Sequence, residues 1–282
     1  MQSGPRPMVM GILNVTPDSF SDGGRYLDPD RAVEHGLDMA SAGADVIDVG
    51  GESSRPGAVP VSEAEERARI VPVISALAPH VRVSVDTCKA PVAEAALAAG
   101  ATLVNDITAS PALWRLAASA GAGYVAMHMQ GTPATMQRAP RYDDVVEEVF
   151  GFLAARAARA EADGVRDVWV DPGIGFGKTP AHNLRLLRQL PRLVAEGRPV
   201  LVGTSRKGFL GLVAARRGVA PAPPDDRLAA SLASAVWAMA CGASMVRVHD
   251  VAATVQAAVL VGATRIGALP DVPRPAASGA RP

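Results

Sequence analysis

Eight short apolar runs, each followed by a segment with helical signals, most narrow what this chain can fold into. The first begins at Met8; the others fall at residues 45–50, 81–86, 101–107, 124–128, 168–171, 200–203 and 245–248. In the first run Met8, Met10, Ile12 and Asn14 share one face, so an apolar row ends in a carboxamide. The intervening segments carry helix punctuation. Pro29 sits in the first turn of a predicted helix over 29–42 and Gly43 lies just past its end; Ser62 and Glu65 have capping-box spacing. Further helices are predicted over 92–99, 111–120, 144–162, 181–196, 227–240 and 252–261. Parallel strands need such crossovers, so repeated strand–helix units point to an α/β fold. Eight units in one chain of 282 residues fit a single-domain (β/α)8 TIM barrel over 1–269, with PDVPRPAASGARP at 270–282 as a disordered tail. Periodicity does not separate a closed barrel from a doubly wound open sheet. The first loop lacks G-x-G-x-x-G, which argues against a dinucleotide fold.

Composition limits the partners. Hydrophobic residues make up 49% and aromatics only 4%, so small side chains do most of the packing. Lys+Arg and Asp+Glu are both 28, and no basic block suggests a nucleic-acid or membrane surface. Cys88 and Cys241 make neither a disulfide framework nor a metal cluster. No apolar run is long enough to span a bilayer and the N-terminus has no signal-peptide core, so a cytoplasmic protein is expected.

Chemistry concentrates at the strand ends. Asn14, Asp48, Asp86, Asn105, His128, Asp171, Lys207, Arg247 and His249 all lie at or just beyond the C-terminal end of a predicted strand. In a barrel those ends form one ring above a packed core. Each has a bland reading alone: a strand-terminal Asp often caps the next helix, and a lone His is often structural. Asp86, Asn105 and Asp171 supply acceptors, Asn105 donors too, and suit a flat nitrogen heterocycle. Lys207, Arg247, His249 and the loop residue Arg55 suit phosphate or carboxylate oxygens. Asn14 is the neutral oxygen ligand that Mg²⁺ takes when phosphates complete its shell. The ligand expected has a heteroaromatic end and an anionic end.

The blocks NVTPDSFSDGG (14–24), GGESSRPG (50–57), SVDT (84–87), VNDI (104–107), MHMQGTPATM (127–136), DPGIGFGK (171–178), TSRK (204–207) and RVHD (247–250) together resemble the dihydropteroate synthases. The resemblance runs in order from about residue 8 to 261, and NVTPDSFSDGG and SRK are its most specific parts. It implies a barrel enzyme that joins 4-aminobenzoate to 6-hydroxymethyl-7,8-dihydropterin pyrophosphate, releasing pyrophosphate. By position, Asp86, Asn105, Asp171 and Lys207 would hold the pterin, and Asn14, Arg247 and His249 the pyrophosphate and Mg²⁺. Phe20, Ser54, Arg55 and Pro56, with Lys207, would close over 4-aminobenzoate, where sulfonamides would compete. Asp86, Lys207, Arg247 and His249 would carry the catalysis, with Asp86 ionised beside a cationic pterin methylene. A homodimer through the last two helices is also implied. Three positions depart from the family pattern: Ser54 for a threonine, Thr108-Ala109-Ser110 where a glycine usually stands, and Gly208 for a larger side chain. Two rivals remain: a pterin-dependent methyltransferase on the same barrel, and a non-catalytic pterin-binding paralogue.

Overall fold

The apolar row that starts at Met8 is β1 (Met8–Asn14), and its two faces enter different packing layers. In the computed structural model, which describes residues 6–16, 28–53, 59–215 and 220–266, Met10 faces a small inner cluster while Val9 and Leu13 join the larger core outside the sheet. Seven further strands follow: β2 (Val46–Gly50), β3 (Arg82–Asp86), β4 (Leu103–Asp106), β5 (Gly123–Met127), β6 (Val168–Asp171), β7 (Leu201–Val202) and β8 (Met245–Val248). They are all parallel, in the order β6-β5-β4-β3-β2-β1-β8-β7. That order is the chain order wrapped round once, with none of the reversal that marks a doubly wound sheet. A parallel bridge between Val170 and Val200 brings the two ends of the sheet together, as a barrel requires.

The helices are α1 (Pro29–Ser41), α2 (Glu63–Leu77), α3 (Ala90–Ala98), α4 (Pro111–Ala120), α5 (Val145–Ala162), α6 (Pro180–Arg188), α7 (Leu190–Ala195), α8 (Gly208–Ala214), α9 (Leu228–Ala240) and α10 (Val251–Ile266). Local chemistry starts several of them. Asp28, Ser62, Ser110, Asp144 and Thr179 accept backbone N–H bonds as N-caps, and Pro stands in the first turn of α1, α3, α4 and α6. The helix predicted over 181–196 is two helices. Pro191 cannot donate to Leu187 and its ring crowds that carbonyl, which instead accepts from Trp237 Nε1 at 3.1 Å. α8 has no forecast in the sequence, where GFLGLVA carries two glycines and no cap. α10 begins one residue earlier and ends five residues later than its pattern suggested.

The inner cluster is what positions the site. Met10, Val46, Leu103, Val125, Trp169, Leu201 and Met245 fill the barrel interior as an apolar plug. Register places Asp48 beside Ile12 and Ser84, and Asp86 beside Gly50 and Asn105, so polar side chains occupy the interior above it. At the opposite mouth Asp167 accepts from Arg82 at 2.6 Å and from Trp169 Nε1 at 2.7 Å, closing that end. Ala109 keeps a left-handed backbone (φ 47°), and Asp106 holds its neighbours through bonds from Thr108 N, Thr108 Oγ1 and Ser110 N. The missing glycine thus leaves that turn in the conformation a glycine would take.

Leu103 is fully buried in the plug. Leu103→Ala is expected to lower the unfolding free energy by roughly 2–5 kcal/mol, read by urea titration. An unchanged midpoint would mean that the interior is not close-packed.

Candidate active site

A cavity of about 620 Å³ opens at the C-terminal ends of the strands, lined by Asn14 from β1, Asp86 from β3, Lys207 after β7, and Arg247 and His249 from the end of β8. Residues separated by more than 230 positions therefore meet at one mouth. Asn105 and Asp171 are buried in the strand ends around it, Asn105 directly beside Asp86 in register. Phe20, Ser54, Arg55 and Pro56 lie outside the described residues, as does the tail at 270–282. Gly208 lines the cavity, and a Cβ there would meet nothing within 4 Å, so this departure leaves open space.

The charges inside are paired before any ligand arrives. Arg247 donates from Nε to Asp48 Oδ2 at 2.5 Å and from Nη2 to Asp86 Oδ2 at 2.7 Å. Asp48 Oδ2 also accepts from Asn105 Nδ2 at 2.9 Å. Burial pushes the Asp86 carboxyl above the usual carboxylate range, while the Arg247 guanidinium beside it pulls the other way. Arg247 loses from burial as well, but Asp48 and Asp86 outweigh that and hold its proton more tightly than usual. Two of its five N–H groups are thus turned toward carboxylates, leaving the rest of the fork for an anion. Asp171 is raised by burial, opposed by Lys207, and accepts from Gly173 N at 2.7 Å. Lys207 is lowered by burial to about 8, opposed by Asp171.

Lys207 is held from several sides. Its ammonium donates to Ile174 O and lies 4.8 Å from the centre of the Phe176 ring. Gly175 takes a backbone conformation that strains other residues (φ 85°), and a Cβ there would stand 3.0 Å from Lys207 Cδ. The preceding Arg206 takes the left-handed region (φ 58°) with Asp250, Ser231 and Arg227 bonding it on three sides. Such over-determined strain is typical of functional turns. Ser205 Oγ meets His249 Nδ1 at 3.0 Å and accepts from its backbone N at 3.2 Å, orienting the imidazole.

His128 and Asp48 are members of the strand-end ring that do not line the mouth, and Asp48 is fully buried while His128 is turned to the 172–178 loop. Its Nδ1 meets Lys178 Nζ at 2.9 Å, its ring lies edge-on to Phe152, and burial lowers its pKa to about 3. It is a neutral structural imidazole. Lys178 is buried, donates also to the carbonyls of His128 and Phe176, and is lowered by burial to about 7. Gly173 brings the two loops into contact: a Cβ there would lie 1.9 Å from His128 O. Sequence reasoning assigned no duty to Asp48, Lys178 or Phe176. Asp48 stood in the strand-end ring and the other two in DPGIGFGK, but only contacts reveal what they hold.

The donor set bears on a metal. Among the described residues no group of three His, Cys, Asp or Glu is placed to hold an ion. Asn14 offers one neutral oxygen, which fits Mg²⁺ carried by phosphate oxygens and water better than a resident metal site.

Lys178 ties folding to pH. Between about 7 and 10 the unfolded chain keeps the lysine proton that the folded chain has lost, so unfolding free energy rises with pH there. In Lys178→Met that rise should shrink, measured by denaturant titrations at pH 7 and 9.5; an identical pH slope would show Lys178 to titrate normally.

Comparison with known proteins agrees with this geometry. Residues 10–249 match the family model described as a pterin binding enzyme. The dihydropteroate synthase of Mycobacterium leprae is 50% identical over 262 residues, covering 90% of this chain and 92% of that protein. A Yersinia pestis dihydropteroate synthase structure with a sulfonamide drug superposes with a TM-score of 0.84 at 48% identity, covering 93% of this chain and 95% of that one. A Xanthomonas albilineans dihydropteroate synthase in complex with 7,8-dihydropteroate gives 0.81 at 44% identity, covering 95% of both.

Proposed function

This chain belongs to the dihydropteroate synthases, pterin-binding transferases of folate biosynthesis, and from that premise we propose how its own residues divide the work. The reaction joins 4-aminobenzoate to 6-hydroxymethyl-7,8-dihydropterin pyrophosphate. The bond from the pterin methylene to the diphosphate oxygen breaks, a bond from that carbon to the amine nitrogen forms, and pyrophosphate and a proton leave. The observation that carries the assignment is the convergence of Asn14, Asp86, Lys207, Arg247 and His249 on one cavity.

Asp86, Asn105, Asp171 and Lys207 bind the pterin: acceptors meet the ring N–H groups, and Lys207 meets a ring oxygen or nitrogen. Asn14, Arg247 and His249 bind the diphosphate. The uncommitted N–H groups of Arg247 and the imidazole held by Ser205 stabilise charge as it develops on the leaving oxygens. Mg²⁺, bound with the diphosphate at Asn14, would supply Lewis-acid neutralisation of that charge. Departure leaves positive charge on the methylene, spread into the dihydropterin ring. Asp86, whose ionised form the Arg247 pair favours against burial, and Asp171 face that charge, so the weakly nucleophilic aromatic amine attacks a cation-like carbon. Phe20, Ser54, Arg55 and Pro56 are assigned to 4-aminobenzoate together with Lys207, and sulfonamides compete there. The two cysteines take no part.

The chain works without nucleic acid or membrane partners and acts in the cytoplasm. No helix among the described residues is long and apolar enough to cross a membrane. A homodimer through α9 and α10 is part of the same reading. The row Leu228, Leu232, Val236 turns out to lie beside the buried face of α9, which is Ser231, Ser234, Ala235, Ala238 and Met239. Leu228 and Trp237 on α9 and Leu260 on α10 are about half to two-thirds exposed, an apolar surface suited to a second copy. Sedimentation should give twice the chain mass, and a monomer at micromolar concentration would remove the dimer.

Dihydropteroate formation should require both substrates; pyrophosphate release from the pterin diphosphate before the amine is added would support departure ahead of attack, and a strict requirement for the amine at bond breaking would count against it. Lys207→Ala should raise KM for the pterin substrate by roughly ten- to a hundredfold, and an unchanged KM removes Lys207 from the site. In the parent enzyme kcat/KM should fall as pH rises through about 8, where Lys207 loses its proton. Lys207→Arg should move that fall upward, since a guanidinium does not titrate there.

A further inference from the structure

Asp48 lies wholly buried in the barrel, one step down the strand from the cavity-lining layer that holds Asp86. Its Oδ2 accepts from two side chains, Asn105 Nδ2 at 2.9 Å and Arg247 Nε at 2.5 Å, whereas Oδ1 has no hydrogen-bond partner among the described residues. The Asn105 carboxamide has an oxygen end and a nitrogen end of nearly the same shape. An ionised carboxylate accepts and never donates, so only the nitrogen end can face it. Reversing Asn105 would set its oxygen against Asp48 Oδ2 with no proton between them, at a buried position where an unpaired acceptor is costly. Asn105 is therefore held with Oδ1 turned away from Asp48, beside Asp86 in register.

We propose that Asp48 is a positioning residue that fixes the polarity of the Asn105 carboxamide, and so the donor–acceptor pattern in which the heterocycle is read. The proposal rests on the assignment of Asn105 to the pterin. Asp48 acts through Asn105 and touches no reacting atom. The same oxygen steadies Arg247, so one buried carboxylate sets the orientation of a pterin reader and a diphosphate binder together.

Titration calorimetry on the full chain with 6-hydroxymethyl-7,8-dihydropterin, which lacks the diphosphate, isolates the ring. Asn105→Asp sets two carboxylates face to face and should weaken binding by thirtyfold or more. A double-mutant cycle reads the role of Asp48. Asp48→Ala should weaken binding tenfold in the parent but less than twofold in an Asn105→Ala background, because Asp48 acts through Asn105. Equal losses in both backgrounds overturn the role of Asp48, whereas parental affinity in Asn105→Asp overturns the assignment of Asn105 and the proposal with it. If Asp48→Ala does not fold, Asp48→Ser takes its place in the same cycle.

Discussion

An arginine held inside a barrel by two carboxylates is the constraint on which the rest of this active site depends. Arg247 enters from β8 one layer too low to reach the mouth with its backbone, beside Met10 in register, and spans upward past Asp48 to Asp86. A lone charge there would be prohibitive to bury, and removing one partner of such a pair leaves the other uncompensated. The guanidinium offers five donors in a planar fork, so it can satisfy both carboxylates and retain N–H groups for a ligand. A lysine in its place could not bridge them with the same fixed geometry.

The apolar plug makes that arrangement possible. Met10, Leu103, Val125 and Trp169 exclude water from below, which strengthens each interaction above and raises the cost of leaving any polar group unpaired. Burial accordingly pushes Asp86 and Asp171 up and Lys207 down, and it is the proximity of opposite charges that opposes each shift. A pterin entering this layer replaces water with oriented partners that need no reorganisation as positive charge appears on its methylene. The loops serve the same end by different means. Gly173 and Gly175 allow the 172–178 turn to pass close to His128 and Lys207, and Lys178 ties that turn to the His128 carbonyl from beneath.

Much of this was legible in the sequence, and the misreadings have physical causes. Alternation in β1 predicted which side chains share a face, because the pleat sends successive side chains to opposite sides whatever the tertiary context. The start of α3 fell two residues before its expected place, because Lys89 supplies no side-chain cap to mark it, whereas Asp28 and Pro29 mark the first turn of α1. Pro191 divided a helix that hydrophobic periodicity alone ran together, since a missing N–H is invisible to a pattern of apolar spacing. His128 stands at a strand end as a ligand would; that its imidazole faces Lys178 depends on a segment fifty residues away.

By itself the sequence determined that eight strand–helix units exist, that polar residues stand at or just beyond the strand ends, and that most of those residues divide into acceptors and cations. Local propensity and side-chain alternation suffice for that, because both act over a few residues. Only the tertiary structure decided that the sheet closes, that Asn14, Asp86, Lys207, Arg247 and His249 share one cavity, and that Asp48 points Asn105 and Arg247. Those are contacts between strands up to 199 residues apart, and the orientation of a carboxamide or a guanidinium is set by the partner it meets, never by its neighbours in the chain.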